Sequence, residues 1–390
     1  TQTAQGILEA EIASPTSYDK VNVIGNPGTA TLSGTLKPVL LGGFKPGANQ
    51  LFPGVISATG VTGTFSTLAN QFISPILSWQ ALYKANTVDL LAKADFSNSA
   101  LNLTHNQHAV GVMLNGVANG ATGDLGNVLN TIATLPSNDQ VAKAYQQISP
   151  DKAAALSALA FAGANLQKRI LSQRITNLRF GSREIGGLGG LPGSFNFNGS
   201  RAGGVMLAYN SSSLSRMFTS EGKASPAAPE SRWGLYLDPA LVLGAQQSSV
   251  NQTGFTFTIA GFNAGADYRV RDDLLVGLAS GYSYTDANFR CSGGNVQANT
   301  WPLTAYVAYL PQSFYAYGSL GYALNLFNLE RDINFGDLNR TAKSSTTGNQ
   351  FNAYGEAGYD LKVKRLVVTP VLSLAYSKLW VGGFTEDGAD

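Results

Sequence analysis

From Trp233 onward, apolar and polar side chains alternate with a period of two over unusually long segments. Leu274, Val276, Leu278, Tyr282 and Tyr284 fall on one face of one such segment, and Gly277, Ala279, Gly281 and Ser283 on the other. In the next, Trp301, Leu303, Ala305, Val307 and Tyr309 oppose Thr304, Tyr306 and Ala308. Further on, Phe351, Ala353, Ala357, Tyr359 and Leu361 oppose Asn352, Tyr354, Glu356 and Asp360. One face is wholly apolar and the other is polar or tiny, so each segment suits hydrocarbon on one side and water on the other. The ranges 233–246, 254–269, 273–286, 297–310, 313–330, 350–362 and 365–381 read as about seven such strands.

The connections carry the second half of that reading. Short links at Arg269–Asp273, Leu310–Ser313 and Lys362–Arg365 alternate with long polar ones at Gln246–Gly254, Thr285–Gln297 and Glu330–Gln350. A soluble sandwich has no cause to separate them so regularly, whereas a barrel in an outer membrane has tight turns on one side and longer loops on the other. An open sheet edge in hydrocarbon leaves backbone groups unpaired at a cost of several kcal/mol each. The expectation is therefore a barrel completed by strands beyond Asp390. Thr1–Gly6 has neither a basic nor an apolar stretch, which points the same way: a piece cut at both ends.

Composition supports this class and excludes others. Charged residues make up 13% of the chain, about half the roughly 25% of soluble domains. The net charge of +2 gives nucleic acid no electrostatic footprint. No window holds the ~20 apolar residues of a membrane helix. The lone Cys291 rules out a disulfide framework, and His105 and His108 lack a third strong ligand, so no metal site or cofactor is expected. Trp233, Trp301, Tyr309 and Trp380 are expected at the membrane interfaces. Asp238, Tyr306, Glu356 and Asp360 are expected to line the watery interior, the three acids meeting Arg169 or Arg174.

The first 98 residues have a different rhythm. Val21–Ile24, Ala30–Leu32, Gly34–Leu36 and Val39–Leu41 are short aliphatic runs spaced by glycines, as in stacked solenoid rungs. From about 105 the period turns helical, with Asp124, Ser137 and Ser149 placed as N-caps. The stretch 150–180 contains no proline after its first residue and predicts a long helix. Leu156, Leu159, Leu166, Ile170, Ile175 and Leu178 form its apolar stripe. Its second half carries Asn165, Lys168, Arg169, Arg174 and Arg179, a composition that excludes contact with lipid but suits a wet lumen. Residues 181–231 are rich in Gly, Ser and Pro and read as a flexible linker, with Val205–Tyr209 as a short strand or helix.

Solenoid rungs, long helix and alternating strands in this order resemble the C-terminal part of a type Va autotransporter. Asn22–Leu36 resembles the end of a passenger β-helix, and Gly60–Leu91 its C-terminal folding-nucleation segment. Asn106–Ala109 followed by Gln147–Pro150 is similar to the family's junction helices. Arg232–Gly234 resembles the first barrel strand, and Gly383–Glu386 a strand end midway round the barrel. The resemblance implies an all-β protein with a helical linker. Residues 1–98 would end a right-handed β-solenoid, 99–231 would form the linker with its pore helix, and 232–390 would supply about seven of the family's twelve barrel strands. It implies export and surface display of the chain's own N-terminal passenger. Implied partners are outer-membrane lipid, the passenger, the barrel-assembly machinery and periplasmic chaperones.

Some members of the family cut the passenger free at paired asparagines followed by Leu-x-Lys-Arg. Asn165-Leu166-Gln167-Lys168-Arg169 is similar, but Ala164 stands where the first asparagine would attack, so an uncleaved passenger is expected. Ser211–Ser213 has no Gly-x-Ser-x-Gly elbow, no phosphate loop is present, and no catalytic residue is assigned. Two other readings stay open: a porin-like channel, and an adhesin or enzyme whose active part lies before Thr1.

Overall fold

The computed structural model describes residues 1–179, 193–197, 204–209, 232–249, 252–290, 293–363 and 366–389. Phe180, Ser211–Ser213, Cys291, Lys364, Arg365 and most of the 181–231 linker lie outside the described residues. The chain forms two compact units: Thr1–Ser149 together with Ile333–Arg340, and Pro150–Asp332 together with Thr341–Ala389.

In the first unit the strands are β1 (Ile7–Ile12), β2 (Val21–Asn22), β3 (Thr29–Leu32), β4 (Thr35–Leu40), β5 (Gln50–Ser57), β6 (Gly60–Gly63), β7 (Thr67–Leu68), β8 (Leu77–Tyr83) and β9 (Thr87–Ala94). Parallel pairing stacks β1 on β4 on β7, β2 on β5 and β3 on β6. Ile7 faces Thr35 and Thr35 faces Thr67, so each turn of the coil advances by roughly thirty residues. Such short strands cannot form a core alone; stacking lets alternate residues share one. Ile12, Leu36, Phe52 and Leu90 are fully buried there. Tyr18 and Trp79 pack edge-on against Phe52, with ring centres 5.5 and 5.6 Å away. Antiparallel β8 and β9 then close the stack against β5. Asp89 is buried beside it, ion-paired to Lys84 at 2.6 Å and accepting the Gly54 N–H at 2.7 Å. Burial pushes the Asp89 carboxyl up, but the Lys84 and Gly54 interactions outweigh it and hold the group below the ordinary aspartate range.

Three helices follow: α1 (His105–Val117), α2 (Gly123–Ala133) and α3 (Asn138–Ile148). A capping box between Thr104 and Gln107 starts α1, and Ser137 caps α3. Asp124 does not cap α2; Thr122 takes that position, and Asp124 lies in the first turn, where it binds Arg340. His105 and His108 are exposed at the start of α1, and no metal-ligating cluster exists among the described residues. Buried Tyr145 on α3 donates to the Phe96 carbonyl at 2.6 Å, which ties the helices to the end of the coil.

The second unit opens with a 3-10 turn, Pro150–Ala153, and then α4 (Ala154–Arg179). Ser149 stands at the junction, directly before the helical run it was expected to start. It ends α3, with its N–H on the Tyr145 carbonyl, and the proline that follows it starts the tighter turn. The sheet consists of β10 (Gly193–Phe197), β11 (Gly204–Tyr209), β12 (Trp233–Gln246), β13 (Phe255–Arg271), β14 (Leu274–Phe289), β15 (Asn295–Tyr309), β16 (Phe314–Phe335), β17 (Leu338–Tyr359) and β20 (Val371–Val381). A small hairpin, β18 (Leu361–Val363) and β19 (Leu366–Val368), intervenes in the link expected to be a bare turn. Residues 204–209 are a strand paired with β12, the first of the two alternatives expected for Val205–Tyr209. Neighbouring strands run antiparallel, Trp233 facing Tyr268 and Phe255 facing Phe289, with a register shift between Arg269 and Arg271 where β13 meets β14.

Two predicted loops are strands instead. β14 runs to Phe289, β15 begins at Asn295, and β16 and β17 meet at a two-residue turn, Gly336-Asp337. Gly336 has φ 54, the left-handed geometry a tight turn needs. Above the membrane both faces of a strand meet water, so the apolar-out signal fades while the backbone ladder continues.

The sheet curls. Helix α4 touches β12, β13, β15 and β20. In a flat sheet β12 and β20 would stand about 29 Å apart at ~4.8 Å per strand, far beyond the ~10 Å width of a helix.

Candidate functional site

The inner face of the curled sheet receives α4 through three apolar clusters. Leu156 and Leu159 pack against Phe255, Phe289 and Phe327. Leu166 and Ile170 meet Val242 and Ile259. Leu171 and Ile175 meet Tyr236, Leu275, Tyr306 and Tyr315. These strand residues sit on the face opposite the exposed leucines, so the helix occupies the side the alternation reserves for water.

Charges at the far end of α4 hold it in register. Arg174 Nε donates to Asp267 Oδ2 at 2.9 Å and its Nη2 to Oδ1 at 3.2 Å, with both side chains under a tenth exposed. Tyr306 donates to the same carboxylate at 3.2 Å, and the Arg174 guanidinium lies 5.0 Å from the Tyr236 ring centre. One turn on, Arg179 Nη2 reaches both oxygens of Asp360 at 2.8 Å and lies 3.6 Å from the Tyr315 ring centre. Thr369 donates to Asp360 at 2.7 Å. At the other end, buried Lys152 donates to the Gly293 carbonyl at 2.6 Å.

These contacts differ in detail from the expected ones. Asp360 meets Arg179, a partner the sequence did not single out. Asp238 is buried near Arg174 without forming its ion pair; Asp267 does that. Glu356 accepts instead from three tyrosines, Tyr315 at 2.8 Å, Tyr317 at 3.4 Å and Tyr354. Lys168 stands 5.2 Å over the Tyr354 ring, and Asn165 and Arg169 are half-buried on the same helix. Asp267 was legible in principle: it shares the inward parity of Phe255, Ile259 and Asn263. Between α4 and the strands a crevice of about 50 Å³ remains, lined by Lys168, Gln167, Thr304, Ser319 and Asn352. That is room for a few waters.

Small residues make this packing possible. A Cβ added to Gly265 would overlap the Tyr236 ring, one on Gly277 the Tyr306 ring, and one on Gly358 the Tyr315 ring. Each of these three tyrosines lies over a glycine of the neighbouring strand, which is how rings this large fit flat against a curved sheet.

On the outer face, Trp233 at the start of β12 packs on Tyr268, ring centres 4.9 Å apart, near the short links. Tyr309 ends β15 at the same side. Trp301 lies within β15 and packs on Tyr282 at 4.7 Å; Trp380 lies near the end of β20. Trp233, Trp301, Tyr309 and Trp380 are all exposed. Eight residues separate Trp301 from Tyr309, about 26 Å along a strand before tilt, comparable to the ~25 Å apolar band of an outer-membrane barrel.

An antiparallel sheet curled round a charged helix, apolar outside and hydrogen-bonded inside, is the architecture of an outer-membrane translocator. The comparisons agree. Residues 242–390 match the family model described as the autotransporter beta-domain. Over 297 residues, 73% of this chain, the sequence is 25% identical to outer membrane protein B of Rickettsia rickettsii, of whose length this stretch is 18%. No solved structure matches significantly. Residues 242–390 thus carry an autotransporter beta-domain, and this part of the chain is an outer-membrane translocator. Translocator domains of this family are not themselves catalytic.

Proposed function

We propose that this translocator exports and displays its own N-terminal passenger, and that α4 is the segment left in the pore when export ends. In this reading residues 1–98 are the end of the passenger coil, 99–231 the linker with its pore helix, and 232–390 the barrel. The observation that carries it is the pair of buried arginine–aspartate contacts, Arg174–Asp267 and Arg179–Asp360, which fix a helix too polar for lipid against the inner face. The same contacts argue against a porin-like open channel, because they seat a helix along the inner face of the sheet. Barrel-assembly machinery and periplasmic chaperones would act during insertion, as the family resemblance implies. Any adhesive or enzymatic activity would reside in the passenger.

Retention of the passenger follows from the same helix. Ala164 offers no nucleophile beside Asn165, so the chain should remain in one piece. Folding of the coil outside the cell would bias export, because each stacked rung makes backward sliding costly. The test is conductance and integrity together. Deleting 154–179 should raise single-channel conductance severalfold, and the full-length chain should run as one band from outer membranes. A helix-deleted barrel that conducts no more than the intact one, or a passenger released by scission near Asn165, would overturn the reading.

A further inference from the structure

Two glycines on the outer face behave unlike those inside. Gly277 and Gly358 have their missing side chains replaced by tyrosine rings, but a Cβ on Gly355 would meet nothing within 4 Å, and one on Gly318 only the Tyr354 carbonyl oxygen at 3.7 Å. Register places Val307 beside Gly318 and Gly355 beside Leu374, so the glycines lie side by side on successive strands, β16 and β17. The result is a groove of about 560 Å³ walled by Ala305, Val307, Leu374 and Tyr376, within the roughly 300–1,000 Å³ range of small-molecule sites. No ionisable acid or base lines it. Glycine within a strand weakens it and often marks close approach of a ligand.

We infer that this groove binds one acyl chain of a phospholipid in the periplasmic leaflet. Three observations select that occupant. The groove lies on the face of exposed leucines that an outer-membrane barrel turns to hydrocarbon. Its walls are almost wholly apolar carbon. It also lies near the strand ends joined by short links, with Tyr309, Phe314 and Tyr359 at that rim, the side where such barrels have their periplasmic turns.

The full chain is reconstituted in phosphatidylethanolamine vesicles carrying a small fraction of lipid with a diazirine on the palmitoyl chain, and adducts are mapped by mass spectrometry. Leu374 and Tyr376 should be labelled at least fivefold more than Leu235 and Leu237, which are comparably exposed on β12 outside the groove. Gly318→Val and Gly355→Val, which have room for the added atoms, should bring groove labelling down to the β12 level while the barrel still shifts on heating in gels. Even labelling of all these residues, or enrichment that survives both valines, would overturn the site. Crosslinks from groove positions to another polypeptide would also overturn it, in favour of a protein partner. Leu235 and Leu237 serve as the control for the membrane reading, since their failure to label would refute bilayer contact itself. The wild-type ratio decides the question even if a valine variant does not fold.

Discussion

The coil of the first unit and the sheet of the second use the same period-two code with opposite solvents. In the coil, alternate side chains such as Leu36 and Phe52 turn inward and vanish from the surface. In the sheet, alternate leucines turn outward: Leu235, Leu278 and Leu303 are all half exposed or more. Alternation alone therefore says that a strand has two different sides, not which side is the core. What distinguishes them is the other face. Tyrosines, acids and amides such as Tyr306, Asp267 and Asn325 are buried in the sheet, whereas the coil's outward positions mix exposed polar residues such as Glu9, Glu11 and Thr31 with exposed apolar ones such as Ile7 and Leu51.

The sharpest way to break this comparison is to remove a partner from each interior. Asp267→Ala would strand buried Arg174 and should cost about 3–5 kcal/mol. Phe52→Ala would open a cavity in the coil at a similar cost of about 3–5 kcal/mol. The two should be separable by limited proteolysis, with Phe52→Ala exposing cleavage sites in the first unit and Asp267→Ala leaving that unit protected. The outer face should respond differently. Leu278→Arg, between the two aromatic levels, should cost about 2–4 kcal/mol in a bilayer. Leu278→Ala should cost under about 1 kcal/mol, because lipid fills the space. Equal penalties for Leu278→Ala and Phe52→Ala in urea titrations would refute the inversion.

Smaller effects sharpen it further. Gly277→Ala pushes a methyl group into the Tyr306 ring and should cost about 1–3 kcal/mol. Gly355→Ala should cost nothing measurable in the same urea titration. The smallest effect is a pH response confined to the coil. The Asp89 carboxyl is held below its unfolded value, so its contribution is fully present above about pH 4 and is lost as pH falls through the lower, folded value. Asp89→Asn should flatten that acid limb of the first unit's stability curve, followed by Trp79 fluorescence. An unchanged limb would remove Asp89 as its cause.

The fold was legible where solvent writes on both faces of a strand. Leu274–Tyr284 and Trp301–Tyr309 announce themselves because one side must be oily. Leu338–Thr347, just as firmly in a strand, does not: it has Arg340, Lys343 and a run of Ser and Thr, since no oil constrains it. Ser149-Pro150 serves both as the close of one helix and the start of the next: the Ser149 N–H goes to the Tyr145 carbonyl, and the helical run resumes at Pro150. Within the site, the basic residues of α4 were readable from one helix. Their partners were not, because Asp267 lies 93 residues from Arg174 and Asp360 lies 181 from Arg179. Periodicity reports a residue's side, and pairing across such distances depends on which strand the curl brings round.

The order of attachments along α4 has a mechanical consequence. Lys152 holds one end through the Gly293 carbonyl and the Phe289 ring, the leucine and alanine turns follow, and the two guanidinium clamps come last. A tug on the chain at Ser149 would load these in sequence, peeling the helix instead of shearing it, so the peak force stays low until Arg174 is reached. Tension applied from the outside would thus be absorbed as a stepwise yield, with the strongest step held in reserve.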